Sequence, residues 1–146
     1  MIETPGDVTD YDLIYKKVIE VSQHFKLVRV AYDLWNAAQL ASKLQKENIE
    51  MVQFIQGPKS YHPAMKFFEE TYYDGRFRHN GDPVLTWCAS NIVARMDQNM
   101  NMAPNKQKSA DKIDDMTALL MAVGTMVSEE KEENIDGFLN DPLILK

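Results

Sequence analysis

The stretch from Val28 to Leu40 constrains the fold more than any other, because its pattern changes from strand to helix at one acidic residue. Residues 27–32 are apolar and β-branched apart from Arg29, which is typical of a strand, and residues 37–47 have the spacing of an amphipathic helix. Asp33 lies between them. Ligands of open α/β sheets bind beyond the carboxyl ends of strands, so Asp33 is a candidate site residue. Asp is also a favoured helix N-cap, and spacing alone favours that structural role.

A parallel βαβ unit is predicted around this stretch. A helix over residues 10–24 comes first, and a short strand over residues 50–56 follows the helix that Asn48 is expected to close. Gly57 and Pro58 stop that second strand. Strand, helix and strand with such connections form a parallel pair with a right-handed crossover, and both strands should then be interior. The sequence therefore predicts an α/β fold.

Two helices are predicted in the middle of the chain. Residues 61–73 are amphipathic, and residues 83–91 form a short buried helix because Asp82 can cap it and Pro83 suits its first position. The apolar stripe of the first helix is formed by Met65, Phe68 and Tyr72.

A β-hairpin is predicted over residues 92–104, since Gln98-Asn99 lies between two strand-like runs. Lys106 and Lys108 should then lie on its far side. A polar loop over residues 76–82 carries two arginines, for which phosphate contact and a solvated rim are the two interpretations, the second being commoner.

The last predicted helix begins at Ile113 and has acids in and before its first turn. Acids at a helix N-terminus are stabilised by the helix dipole by about 0.3–1 kcal/mol, so Asp114 and Asp115 need no catalytic explanation. The apolar face is formed by Ile113, Met116, Leu120, Val123 and Val127, with Leu119, Ala122 and Met126 beside it.

The acidity of the chain is concentrated near its C-terminus. The formal net charge is −6, but residues 128–146 alone hold six acidic and two basic residues. Residues 59–112 hold eight basic and six acidic residues, so a local basic face for nucleic acid is compatible with the composition. We therefore predict one domain over residues 1–127 and an acidic tail over residues 128–146, ending in an apolar segment at residues 142–146.

The sequence excludes several classes of protein. No apolar run approaches the roughly 18–20 residues of a membrane span, and the N-terminus lacks a signal-peptide pattern, so a cytoplasmic location is expected. The single Cys88 forms no internal disulfide. A small-molecule α/β enzyme is disfavoured because no glycine-rich phosphate loop, nucleophile elbow or metal-binding histidine pair is present.

Asp33 and Asp114 are candidate ligands of a hard divalent cation. One follows a strand and the other opens a helix, which is how a sheet edge collects carboxylates. Mg²⁺ favours a few carboxylates together with water and phosphate oxygens, which suits metal-assisted phosphodiester hydrolysis. Composition alone leaves open whether the two acids converge.

Many short motifs follow one another in an unbroken order over about residues 3–127. They are Thr4-Pro5-Gly6, Asp10-Tyr11, Ala31-Tyr32-Asp33, Trp35-Asn36-Ala37, Gln39-Leu40, Gln56-Gly57, Pro63-Ala64-Met65, Gly75-Arg76, His79, Asp82-Pro83-Val84-Leu85, Trp87, Asn91, Lys106, Lys112-Ile113-Asp114, Ala118-Leu119 and Ala122. Together they resemble the large terminase subunit of tailed bacteriophages and prophages. The resemblance implies the C-terminal nuclease domain of that protein, a partial RNase H-like fold with a parallel βαβ core, helices and a C-terminal β-hairpin. Such a domain cuts concatemeric double-stranded DNA during packaging.

Carried over residue by residue, the resemblance implies that Asp33 and Asp114 are catalytic ligands of Mg²⁺ or Mn²⁺ in a two-metal mechanism. Asp115 stands where the family often has glycine, so it is a third candidate ligand or a helix-start residue. Lys106 and Lys112 match basic positions near the site. The candidate DNA-binding residues are Lys106, Lys108, Lys112, Arg76 and Arg78.

One departure from the family concerns the start of the chain. The family's nuclease domain begins with strands that carry another catalytic aspartate, whereas this chain begins where the first core helix is expected. We therefore expect the isolated chain to be inactive and its unpaired sheet edge to favour self-association. In the full-length protein the expected partners are double-stranded DNA, the small terminase subunit and the portal. The alternative function is a catalytically incomplete module that binds DNA or the portal.

Overall fold

The computed structural model describes residues 9–140, without the side chains of Asn36 and residues 129–140. The chain divides into two compact units, one ending at Gln53 and the other beginning at Phe54. Within the described part, no helix combines the length and the apolar character that a bilayer span requires. The apolar segment predicted at residues 142–146 lies outside the described residues.

The first unit confirms the predicted βαβ arrangement. Strands β1 and β2 pair in parallel, with Ala31 opposite Val52. Helix α2 packs against α1 and β2, and its inner face buries Ala41 and Leu44. The elements are α1 (Tyr11–His24), β1 (Val30–Tyr32), α2 (Leu34–Lys46) and β2 (Met51–Gln53).

Helix α2 ends as its sequence predicts. Asn48 has a φ of 60°, in the left-handed region that Asn tolerates better than most residues. The amide of Asn48 donates to the carbonyl of Gln45 at 3.1 Å, and the amide of Ile49 donates to the carbonyl of Leu44 at 3.3 Å. These two bonds satisfy carbonyls at the end of the helix and turn the chain into β2.

The expectation that both strands are interior is wrong for this unit. All three residues of β1 are half-buried, and Gln53 of β2 is exposed. Within the described residues the parallel sheet has only these two strands, so each strand has just one hydrogen-bonded neighbour there.

The second unit is built on the packing of α3 and α4 against α5. Helix α3 also contacts β4, and β3 and β4 form the predicted antiparallel hairpin. The elements are α3 (Pro58–Tyr73), α4 (Pro83–Asn91), β3 (Ala94–Met96), β4 (Met102–Pro104) and α5 (Asp114–Asn140). The buried apolar residues include Phe54, Tyr61, Ala64, Cys88, Ala103, Ile113, Met116, Leu120, Met121 and Val127.

Helix α3 buries a different face from the predicted stripe. It begins at Pro58, earlier than predicted, and its buried residues are Tyr61, Ala64 and Thr71, whereas Tyr72 is exposed. The Thr71 hydroxyl donates to main-chain carbonyls of the preceding turn at 2.9 Å, which lets this polar residue face the core.

Helix α5 buries the predicted face and a wider surface beside it. The predicted residues Ile113, Met116, Leu120 and Val127 are buried, and Val123 is half-buried. Thr117, Met121 and Thr125 are buried as well, whereas Ala122 and Met126, which were predicted beside the face, are exposed. The helix continues to Asn140 and so extends past residue 128, where the acidic tail was predicted to begin.

Candidate metal and nucleic-acid site

Asp33 lies at the carboxyl end of β1 and caps α2. Its Oδ1 accepts a hydrogen bond from the Trp35 amide at 3.2 Å. The position at a strand end and the capping role, which the sequence left as alternatives, therefore apply to the same residue. A carboxylate has two oxygens with about four lone-pair positions, so one capping bond is compatible with metal ligation as well.

Asp114 is the first residue of α5 and forms an ion pair with Lys106. The distance from Lys106 Nζ to Asp114 Oδ1 is 3.3 Å, and the Asp114 side chain is 68% exposed. Asp115, the third candidate ligand, follows it and is also exposed. The structure thus brings one predicted metal ligand together with one predicted DNA-binding cation.

A cleft of about 410 Å³ surrounds this ion pair. Its lining residues are Lys106, Ser109, Asp111, Lys112, Ile113 and Asp114. We call it the Asp114 cleft. Lys112 contributes a second cation from the segment that leads into α5, so the cleft presents carboxylates next to lysines. Carboxylate oxygen is a hard donor that suits Mg²⁺, and Mg²⁺ commonly retains water and substrate phosphate oxygens beside one or two carboxylates.

The donor set of the cleft is sparse. Among the described residues, no group of three or more His, Cys, Asp or Glu side chains is placed to hold a metal ion. A divalent ion at Asp114 would therefore depend on water and phosphate oxygens for part of its coordination. Asp33 belongs to the first unit and Asp114 to the second, and their sharing of an ion stays a prediction.

The other predicted DNA-binding residues do not line the Asp114 cleft. Arg76 donates through Nε and Nη2 to Asp74 Oδ2 at 3.2 and 2.9 Å, in an ion pair whose side chains are both well exposed. Arg78 and Lys108 are also exposed. For these three residues the solvated-rim interpretation and the phosphate-contact interpretation both remain consistent with their positions.

A tight turn over residues 105–109 holds Lys106 in place. The carbonyl of Asn105 accepts hydrogen bonds from the amide and the hydroxyl of Ser109 at 3.0 and 2.8 Å. The Asn105 amide donates to the carbonyl of Val93 at 2.8 Å, which ties the turn to the hairpin. Lys106 therefore extends from an ordered backbone although the residues around it read as a polar linker.

Sequence analysis missed Arg95, which lines a second pocket together with Lys106. Arg95 is in β3 directly opposite Ala103. The hairpin was predicted, but its loop has three residues, Gln98 to Met100, and Met100 adopts a φ of 63°. The predicted turn had only two residues, Gln98 and Asn99. The third residue shifts the pairing of the two strands by one position, so the sequence did not predict that Arg95 lies opposite Ala103.

Comparison with known proteins places the chain in context. It matches the family described as the terminase large subunit, endonuclease domain, over residues 3–130. It is 34% identical over 144 residues to the terminase large subunit of Enterobacteria phage HK97, a match that covers 96% of this chain and 29% of that protein. It is 31% identical over 134 residues to protein YmfN of Escherichia coli strain K12, covering 90% of this chain and 30% of that protein.

A solved structure shows the same similarity. The crystal structure of the HK97 bacteriophage large terminase matches this fold with a TM-score of 0.76 at 35% sequence identity. That match covers 84% of this chain and 26% of the terminase chain. The chain thus spans about three tenths of the length of the curated relatives that it matches.

Proposed function

The chain belongs to the family of terminase large subunit endonuclease domains, and on this basis we propose that it forms part of a metal-dependent endonuclease that cuts concatemeric double-stranded DNA during phage packaging. Its α/β fold matches the nuclease domain of a terminase, which is RNase H-like, as the family resemblance implied. The observation that carries the proposal is the Asp114 cleft, where an exposed carboxylate at a helix start lies beside two lysines.

In this proposal Asp33 and Asp114 hold the divalent ion, with Asp115 as an additional ligand. A bound Mg²⁺ or Mn²⁺, or a pair of them, would lower the pKa of an attacking water and stabilise charge on the phosphate. Lys106 and Lys112 attract the DNA backbone and neutralise phosphate charge. The hydrogen bond from the Trp35 amide holds the Asp33 carboxylate at the start of α2, and the turn closed by Ser109 holds the backbone of Lys106. Each of these two residues therefore extends from an ordered backbone in the absence of DNA.

The wider role follows from the family. We expect the full-length protein to act on double-stranded DNA in the host cytoplasm, together with the small terminase subunit and the portal. Arg76, Arg78 and Lys108 would contribute to DNA attraction outside the cleft.

A plasmid-nicking assay with Mn²⁺ tests the proposal. It compares this chain, the same chain preceded by the N-terminal strands of a family member, and Asp33→Asn and Asp114→Asn variants of the extended polypeptide. We expect nicking by the extended polypeptide, a loss of about 100-fold or more in each variant, and little nicking by this chain alone, since metal catalysis needs a full ligand set in fixed geometry. Glu69→Gln, a carboxylate-to-amide change at an exposed position on α3, is the matched control. Undiminished nicking by both Asp variants would place the catalytic centre elsewhere.

A second candidate function is a non-catalytic module that binds DNA or the portal. The observation that favours it is the absence of a three-ligand group within the described residues. DNA binding without nicking, by the extended polypeptide as well as by this chain, is the result that would select it.

A further inference from the structure

A second pocket lies in the same unit and shares Lys106 with the Asp114 cleft. We call it the Arg95 pocket. Its volume is about 430 Å³, within the range of about 300–1,000 Å³ that ligand pockets usually have. Most of its lining is polar. The polar lining residues are Gln56, Arg95, Asn105, Lys106, Gln107 and Thr117.

The charge of the Arg95 pocket selects an anionic ligand. Arg95 and Lys106 are cationic, and no carboxylate lines the pocket within the described part of the chain. The remaining polar residues supply amide donors, whereas the buried Thr117 hydroxyl already donates to the carbonyl of Ile113 at 3.0 Å. This composition suits a phosphate group. The planar guanidinium of Arg can donate two parallel hydrogen bonds to a pair of phosphate oxygens, and neutral donors can bind the remaining oxygens.

Both cations are anchored on ordered backbone. Arg95 is in the middle of β3, opposite Ala103, which is 1% exposed and packs in the core. Lys106 follows β4 in the turn that Ser109 closes. The hairpin and the turn therefore fix the backbone positions from which the two side chains extend, so little backbone entropy is lost when an anion binds between them.

We propose that the Arg95 pocket binds a backbone phosphate of the DNA strand whose neighbouring phosphate enters the Asp114 cleft. The proposal rests on the function proposed above. Lys106 lines both cavities and contacts Asp114 at 3.3 Å, so a ligand held by Arg95 and Lys106 adjoins the candidate metal ligand. Arg95 then acts as a positioning residue, which places the strand without taking part in the bond cleavage itself.

Binding of a short fluorescent DNA duplex to the 146-residue chain in EDTA tests the pocket without any metal. Each phosphate contact adds about 0.9 to the slope of log affinity against log salt, which corresponds to about five- to tenfold in affinity at roughly 0.1 M salt. Arg95→Gln should lower affinity by about that factor and reduce the slope by about 0.9. Arg95→Lys should retain much of the affinity. Lys66→Gln removes the same charge from α3 outside the pocket and should leave both quantities unchanged.

Two further ligands distinguish a DNA phosphate from a free one. Inorganic phosphate and a deoxynucleoside monophosphate are titrated separately while the amide resonances of Asn105 and Gln107 are followed. Weak binding of both ligands with Arg95-dependent binding of the duplex supports the proposal. Duplex affinity that is equal in Arg95→Gln and the parent chain overturns it, and so does tight mononucleotide binding that the duplex fails to displace.

The outcome for the pocket is separable from the outcome for the nuclease. Loss of nicking in Asp114→Asn with unchanged duplex affinity in Arg95→Gln refutes the pocket alone. Arg95-dependent duplex binding by a polypeptide that never nicks refutes the nuclease alone. Thermal unfolding of each variant, which should match the parent because Arg95 is exposed, confirms that the changes are local.

Discussion

Lys106 interacts with the same carboxylate that is proposed to hold a metal ion. Its ammonium lies 3.3 Å from Asp114 Oδ1, with side-chain exposures of 57% for the lysine and 68% for the aspartate. Exposed pairs of this kind contribute little to stability, because solvent screens them. Under the proposed function, Lys106 would neutralise Asp114 until a divalent ion and a phosphate provided other partners for both groups.

This arrangement predicts opposite effects of Lys106→Gln on two affinities. Exposed ion pairs contribute about 0.2–1 kcal/mol, so removing the lysine should raise the affinity of Mn²⁺ for the Asp114 cleft by up to about fivefold. Duplex affinity in EDTA should fall by about five- to tenfold at roughly 0.1 M salt, since one phosphate contact is lost. Calorimetry measures the first effect and fluorescence anisotropy the second. A parallel fall in both affinities would mean that Lys106 supports the fold of the turn, and Lys66→Gln serves as the control.

The ends of the helices were easier to predict from the sequence than the faces that they bury. Helix ends were predictable because their chemistry is local: Asp82 accepts from the amides of Val84 and Leu85 at 2.8 and 3.0 Å, and Gly75 ends α3 with a φ of 66°. The buried face of α3 and the full width of the buried face of α5 were not predictable, because they depend on the elements that pack against these helices. Gly124 is an example. A Cβ at this position would lie 2.5 Å from Cε2 of Phe54, so the close approach of Phe54 to α5 requires glycine. Glycine does not stand out in an apolar pattern, so the sequence did not indicate that this position is in the core.

The hairpin that carries Arg95 has its own pH dependence. Asp97 Oδ1 accepts from the amides of Asn99 and Asn101 at 2.8 and 2.9 Å, and its Oδ2 accepts from Asn101 Nδ2 at 3.1 Å. The side chain and backbone amide of Asn101 hold the pKa of the Asp97 carboxyl below its ordinary value. The carboxylate therefore stabilises the folded loop fully above the ordinary aspartate value of about 3.9, and this contribution is lost as pH falls through the lower folded pKa.

We predict that the hairpin loop loosens in acid. The protection of the Asn99 and Asn101 amides from exchange, measured relative to the unfolded chain at the same pH, should fall below about pH 4. Asp97→Asn should flatten that dependence because the amide oxygen accepts without titrating. Asn101→Ala should move the Asp97 pKa back toward the ordinary value in a carboxyl-carbon NMR titration. A parent Asp97 that titrates at the ordinary value would contradict this account.

At the scale of the whole molecule, the fold class was predictable and the site was predictable in part. Strand, acid and helix follow each other within one short stretch, and the lysines of the Asp114 cleft are close in sequence to Asp114, so local patterns were sufficient. Arg95 and Gln56 line the same pocket as Lys106 because of the hairpin register and the packing of α3 on β4. One sequence alone does not indicate which residues that are distant along the chain lie close together in the fold.

The first unit leads to a prediction about assembly. Its sheet has two strands within the described residues, and Phe25, Val28 and Leu34 are exposed apolar side chains of the same unit. Edges and apolar surfaces of this kind favour self-association. We expect concentration-dependent dimers in sedimentation experiments and a weakening of about tenfold or more in Val28→Lys, because a charged side chain would replace an apolar one on the surface that is expected to be buried. Val93→Lys, an exposed position of the second unit, should leave the dimer intact. A monomer at every concentration would refute the prediction.

The exposed indole of Trp35 is an intrinsic fluorophore two residues after Asp33 in the sequence. This indole is 83% exposed and belongs to the residue whose amide donates to Asp33, the proposed ligand, whereas the other tryptophan, Trp87, is 43% exposed. A nucleobase that stacks on the indole would remove water from the ring and quench its emission. Paramagnetic Mn²⁺ near Asp33 would quench it as well, whereas diamagnetic Mg²⁺ would not. If the proposed site binds both, tryptophan fluorescence of the unlabelled protein would report DNA in the presence of Mg²⁺, and the additional quenching with Mn²⁺ would report the metal.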